Sequence, residues 1–152
     1  MILLLSFPKL NYSSSMKKAK ILFVTGTIFF GIICGLGHLT FELLEEKPTE
    51  LVEGLKELSV VFPDREKDML EVTTGFSLLM GVMLLAYGII NLLLMYKDRE
   101  LHLPSKAIIT ANLIFALIGF GIAYQYFFIF PIACIGIATL CFLFSLFLYK
   151  SA

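Results

Sequence analysis

Gly31-Ile32-Ile33-Cys34-Gly35-Leu36-Gly37-His38-Leu39-Thr40-Phe41-Glu42 closes an apolar run that begins near Ile21. About twenty consecutive apolar residues are enough to cross a bilayer as a helix. The stretch also holds the histidine at membrane depth, a carboxylate one helical turn further on, and a Gly31-x-x-x-Gly35 pair. The rest of the chain reads as three more spans packed beside this one.

Lys17, Lys18 and Lys20 precede the run, as in a signal peptide. Signal cores, however, have roughly 7–15 apolar residues and a small-residue exit. This core is longer and has no such exit, and Ile33 before Cys34 lacks the small residue of a lipoprotein cleavage site. It reads as a retained helix over 21–41. Further apolar runs cover 72–96, 107–127 and 132–149. The last rises roughly 27 Å as a helix, which just crosses a typical core. The expected fold class is therefore all-α, a four-transmembrane-helix bundle with a short extracytoplasmic amphipathic helix, in one membrane domain over 16–152. Residues 1–15 read as a disordered or over-extended start. Met1 to Phe7 is too short to span, Pro8 and Ser13-Ser14-Ser15 break it, and Met16-Lys17-Lys18 is a usual bacterial membrane-protein beginning.

Composition agrees. Of 152 residues, 59% are hydrophobic and 16% charged, with a mean hydropathy of +0.90. A soluble domain is nearer 45–50% apolar with about 25% charged. Twelve bases balance twelve acids, so net charge points to no nucleic-acid partner; the lipid bilayer is the partner composition demands. The three cysteines form no disulfide framework or zinc pattern, since Cys134 and Cys141 are roughly 10 Å apart along one helix and no C-x-x-C occurs. They read as small packing residues.

Residues 42–71 form one long polar loop with ten acids against four bases. Within it, Leu51, Leu55, Leu58 and Phe62 repeat at helical spacing between Pro48 and Pro63. This predicts an amphipathic helix on the membrane surface or capping the bundle, with Glu50, Glu53 and Glu57 on its solvated face. Phe128-Ile129-Phe130-Pro131 reads as a tight turn. With both termini cytoplasmic, eight bases lie inside (Lys9, Lys17, Lys18, Lys20, Lys97, Arg99, Lys106, Lys150) against four outside. The positive-inside rule therefore gives N-in, C-in and places 42–71 outside.

Lipid tails are as apolar as leucine, so close packing and hydrogen bonds must join the spans. Gly31 and Gly35 in the first span, Gly81, Gly88 and Asn91 in the second, and Asn112 and Gly119 in the third fall on faces that carry small and polar residues. These faces serve either the bundle itself or a homo-oligomer or membrane-protein partner. Asn91 lies six residues before Lys97, and Asn112 six after Lys106. An antiparallel hairpin puts them at one depth, within hydrogen-bonding reach.

His38 and Glu42 share a helix face. Glu71 and Thr74 begin the second span at the same level, and Tyr124, Gln125 and Tyr126 end the third there. Together they form a candidate polar pocket near the outer surface, roofed by the amphipathic helix. Intramembrane ionisable groups are a functional hypothesis by default. His38 has three readings: a seal bonded to a carbonyl or Glu42, a proton or substrate site, or a metal ligand. A single histidine at this depth supplies no paired haem ligation, and no cofactor or metal motif is present. No nucleophile elbow, phosphate loop or dinucleotide fingerprint occurs, and His102 sits in a charged turn.

Gly35-Leu36-Gly37-His38-Leu39, Gly75-Phe76, Gly88-Ile89-Ile90-Asn91, Tyr126 to Pro131 and Ile137-Ala138-Thr139-Leu140-Cys141-Phe142 resemble motifs of a family of small, uncharacterised four-helix bacterial integral membrane proteins. The resemblance covers most of 16–149. It implies an inner-membrane location and a four-helix architecture, and no activity. Members often carry a second histidine early in the second span, where this chain has Thr74-Gly75-Phe76-Ser77. The leading expectation is an accessory protein acting through helix–helix contacts. The alternatives are a small-molecule or proton-coupled carrier using His38, Glu42 and Glu71, or an intramembrane enzyme acting on a lipid or quinone.

Overall fold

The computed structural model describes residues 14–44, 46–96 and 104–149. The first helical run contains α1 (Ser14–Thr27), a π-helical segment (Ile28–Ile33) and α2 (Cys34–Leu44). It is followed by α3 (Thr49–Glu57), a hairpin of β1 (Ser59–Val61) and β2 (Glu66–Asp68), then α4 (Met69–Tyr96), α5 (Lys106–Tyr126) and α6 (Ile129–Leu148). Four stretches are long and apolar enough to cross a membrane: Ser15–Leu44, Met69–Met95, Lys106–Tyr126 and Ile129–Leu148. The fold is an all-α bundle of four membrane-length helices. The over-extended start proposed for 1–15 falls largely on residues 1–13, outside the described residues.

The first span crosses from one partner to another. Its α1 half packs on α6, while its π-helical and α2 part packs on α4; α5 packs on α6. The α1–α6 contact is tight. Phe23, Phe142, Ala19 and Ser145 are fully or nearly fully buried. The Ser145 hydroxyl donates to the Ala19 carbonyl at 2.8 Å, and the Phe23 and Phe142 rings lie 5.6 Å apart. Large apolar residues on the outer faces, such as Phe76, Met83, Phe115 and Phe147, are exposed, as a lipid solvent requires.

Close approach joins α4 to the first span. A Cβ on Gly31 would lie 2.7 Å from the Gly88 nitrogen, and one on Gly35 2.9 Å from the Leu85 nitrogen. Gly81 faces Leu39, and Gly88 faces Ile32 and Gly31. The four glycines thus meet inside the chain. The π-helical turn coincides with this contact, Cys34 N–H reaching the Phe29 carbonyl five residues back. One π turn inside an α-helix is a recurrent feature of functional regions.

Asn112 donates to Asn91 Oδ1 at 3.3 Å and to the Ile108 carbonyl at 2.8 Å. Asn91 donates to the Tyr87 carbonyl at 3.0 Å, and the Tyr87 hydroxyl donates to Asn112 Oδ1. The cluster fastens α4 to α5 although both asparagines are buried.

Two local readings need correction. The amphipathic helix does not run on through Leu58 to Phe62. It ends at Glu57, Leu58 is extended, and Ser59-Val60-Val61 pairs antiparallel with Glu66-Lys67-Asp68. Valine favours a pleated strand, and Pro63-Asp64 lies in the turn, which Phe62 N–H closes on the Arg65 carbonyl at 2.8 Å. Asp68 then caps α4, its Oδ1 accepting from Glu71 N–H at 2.7 Å. The second correction concerns 128–131. The bend is only Phe127-Phe128, and α6 already includes Pro131. Proline fits the first helical turn because its missing N–H has no partner to lose there.

Candidate functional site

A cavity of about 530 Å³ lies between the four spans at the end that carries α3. Its position follows from the crossing of the first span. Because α2 leans on α4, it draws away from α5, and the space between is not filled. From the first span Phe30, Cys34, Gly37, His38, Phe41 and Glu42 face it. Phe30, Cys34, His38 and Glu42 follow at four-residue steps, and Gly37 and Phe41 lie three residues after Cys34 and His38, so together they form one stripe of the helix. Ser77, Met80 and Leu84 line it from α4; Gly119, Ile122, Ala123 and Tyr126 from α5; Phe130, Pro131 and Ile135 from α6.

The polar groups gather at one end. His38 Nε2 lies 2.9 Å from Ser77 Oγ, the imidazole tautomer deciding which of them donates. Glu42 forms an ion pair with Lys47, in the connection between α2 and α3. Lys47 Nζ also reaches Thr74 Oγ1 at 3.4 Å. The Glu42 side chain is only 8% exposed, against 29% for Lys47. A carboxylate so shielded needs its counter-charge, since an unpaired buried charge is strongly destabilising. Five residues from three parts of the chain thus clasp α2, its outgoing connection and α4 together.

The walls and the far end are apolar. Phe30 closes the deep end, its ring edge-on to Tyr87 at 5.3 Å. Gly119 makes room for that ring, since a Cβ there would stand 3.2 Å from Phe30 Cε2. At the mouth, Phe41 and Phe128 approach to 5.7 Å between ring centres. Both rings are substantially exposed, and the pair stands at the edge of the cavity between α2 and the start of α6. All three cysteines are free and buried.

The structure divides the sequence-predicted site residues. His38, Glu42 and Tyr126 line the cavity, and Thr74 joins them through Lys47. Glu71 instead pairs with Lys67 at 2.8 Å, half exposed. With Thr74, Phe62 and Arg65 it borders a separate groove beneath the hairpin. Tyr124 is 74% exposed, and neither it nor Gln125 lines the cavity. No α3 residue roofs it among the described residues. Sequence reasoning missed the roles of Ser77, Lys47 and the phenylalanines. Ser77 had a signal, lying one turn from Thr74 on the small-residue face. Lys47 had none, because its pairing depends on how the chain leaves α2.

Among the described residues, no group of three or more His, Cys, Asp or Glu side chains is placed to hold a metal ion. No protein-family profile, curated protein or solved structure matches the chain. The motif resemblance therefore carries no activity or site residue to it, and the geometry of the cavity has to speak for itself.

Proposed function

We propose that this is an intramembrane binding protein that holds one small amphiphilic molecule inside its four-helix bundle. The observation that carries this reading is the cavity itself, apolar along its length and polar at one end, where His38, Ser77 and Glu42 meet. Pockets of 300–1,000 Å³ with few convergent polar groups are the usual form of a small-molecule site. The cavity is blind. Ala19, Phe23, Ile109, Phe142 and Ser145 fill the other half of the bundle to within 1% of full burial, which favours binding over a pore.

Of the two uses open to the glycine faces, Gly31, Gly35, Gly81 and Gly88 serve the bundle itself, which leaves these four positions no support for a homo-oligomer or a membrane-protein partner. The basic residues favour a multi-pass orientation in a bacterial inner membrane with both termini cytoplasmic. The cavity mouth then opens on the outer side.

Native mass spectrometry of protein extracted gently from its own membrane tests the reading. A discrete small molecule that co-purifies with the wild type and is lost from His38→Ala is the expected result. A ligand-free homo-oligomer, or a defined protein partner with nothing but bulk lipid attached, returns the accessory role to first place.

A further inference from the structure

We infer that the cavity selects uncharged, chain-shaped amphiphiles, and that it does so because Glu42 and Lys47 neutralise each other and leave no net charge at its polar end. The inference rests on the binding function proposed above and names the class of ligand.

Shape comes first. Phe30 and Glu42 both line the cavity, and twelve residues of helix separate them, roughly 18 Å along the axis. A slot of that length with about 530 Å³ of space suits an extended hydrocarbon chain better than a compact ring system. Its walls along this length, including Leu84, Ile122 and Ile135, are apolar, the Cys34 thiol being a weak hydrogen-bonding group among them.

Charge decides the head group. The carboxylate at the polar end already has its counter-ion in Lys47. An anionic head would meet Glu42 in a medium where like charges repel far more strongly than in water. A cationic head would have to displace Lys47, which Thr74 helps to hold. The uncharged polar side chains that remain include the His38 imidazole and the Ser77 hydroxyl, bonded to each other, with Ser77 also hydrogen-bonded to Glu42 and Tyr126 lining the same cavity. Such a pair suits a hydroxyl or carbonyl that inserts into the bond or extends it. Ion pairing within the protein therefore leaves hydrogen bonding as the way to hold a ligand's head.

The test uses the purified protein in lipid nanodiscs, with three chain-matched probes read by native mass spectrometry: hexadecanol, hexadecyl sulfate and hexadecylamine. Wild type is expected to retain the alcohol at least about tenfold better than either ion. Glu42→Gln leaves Lys47 without its partner and shifts preference to the sulfate. Lys47→Met leaves the carboxylate unpaired and shifts preference to the amine. Either single variant leaves an orphan charge that weakens folding, so Glu42→Gln combined with Lys47→Met, which removes both charges, is the control. It is expected to regain the alcohol preference.

Equal retention of all three probes by the wild type, or an alcohol preference that survives each single substitution in folded protein, overturns the charge rule and leaves the binding function standing. A nanodisc phosphatidylglycerol held in place of the alcohol also overturns it. Failure of the wild type to retain any of these molecules defeats the binding function and the inference together.

Discussion

His38 Nε2 and Ser77 Oγ lie 2.9 Å apart across the first and second spans, thirty-nine residues apart in sequence. The contact lines the cavity on both sides, so it is placed both to fasten the helices and to meet a ligand. Its energy separates these roles. Intramembrane hydrogen bonds average about 0.6 kcal/mol and reach about 1.7. Ser77→Ala and His38→Ala should each lower unfolding stability in mixed micelles by no more than about 2 kcal/mol, with coupling visible in the double variant. Ligand occupancy should fall much further. Loss of folding in proportion to loss of occupancy would make the pair a structural fastener only.

The glycine contact makes a sharper stability prediction. In an exposed helix, Gly→Ala gains about 1 kcal/mol from propensity. Gly75 and Gly121 have nothing within 4 Å of an added Cβ, so alanine there should be neutral or stabilising. Gly31 and Gly35 face backbone atoms of α4, which cannot rotate aside as a side chain can. Overpacking costs about 1–3 kcal/mol and outweighs the propensity gain. Gly31→Ala should lower the melting temperature, Gly31→Leu should prevent compact assembly, and Gly121→Ala should do neither. Thermal unfolding of the three in one detergent checks the order.

The Tyr87–Asn112–Asn91 cluster ties α4 to α5, and its central residue is Asn112, whose Oδ1 accepts from the Tyr87 hydroxyl and whose Nδ2 donates to Asn91 Oδ1. Tyr87→Phe removes one donor while keeping the ring against Phe30. The expected cost is about 0.6–1.7 kcal/mol. Asn112→Ala should cost more, because it also ends the bond to Asn91 and opens space in the core. A double-mutant cycle should give less than the sum. Additive losses would mean that the hydroxyl and the amide do not share a bond.

The four-span architecture was legible because membrane solvent imposes it: each run of about twenty apolar residues can only be a helix. The hairpin was not, since Leu51 to Phe62 carries a helical repeat while Ser59-Val60-Val61 equally suits a strand. Pairing with Glu66 to Asp68 decides between them, and that is a non-local fact. The face shared by His38 and Glu42 was legible from their spacing alone. Tyr124 and Gln125 were assigned to the pocket by depth, but depth does not fix azimuth, and the helix turns them outward. Glu71 was lost for a related reason, since Lys67 in β2, four residues before it, turns back to pair with it. The cavity itself arises from the crossing of one helix between two partners, which no linear pattern records.

Thr27 offers a test of the core that is independent of any ligand. It is fully buried where α1 passes into the π-helical segment. Its Oγ1 is the buried side-chain polar atom with no hydrogen-bond partner among the described residues. Leaving a hydroxyl unpaired in an apolar interior costs about 1–3 kcal/mol by mutational measures. Valine has nearly the same shape and no polar atom, and its helix propensity is close to that of threonine. Thr27→Val should therefore stabilise the bundle by about 1 kcal/mol or more, seen as a higher unfolding midpoint in mixed micelles. A loss of stability of the same size would mean that the hydroxyl is satisfied in solution, by a buried water or by a backbone carbonyl freed at the π turn. Such a result would mark the junction as a polar, hydrated point in the otherwise dry half of the bundle.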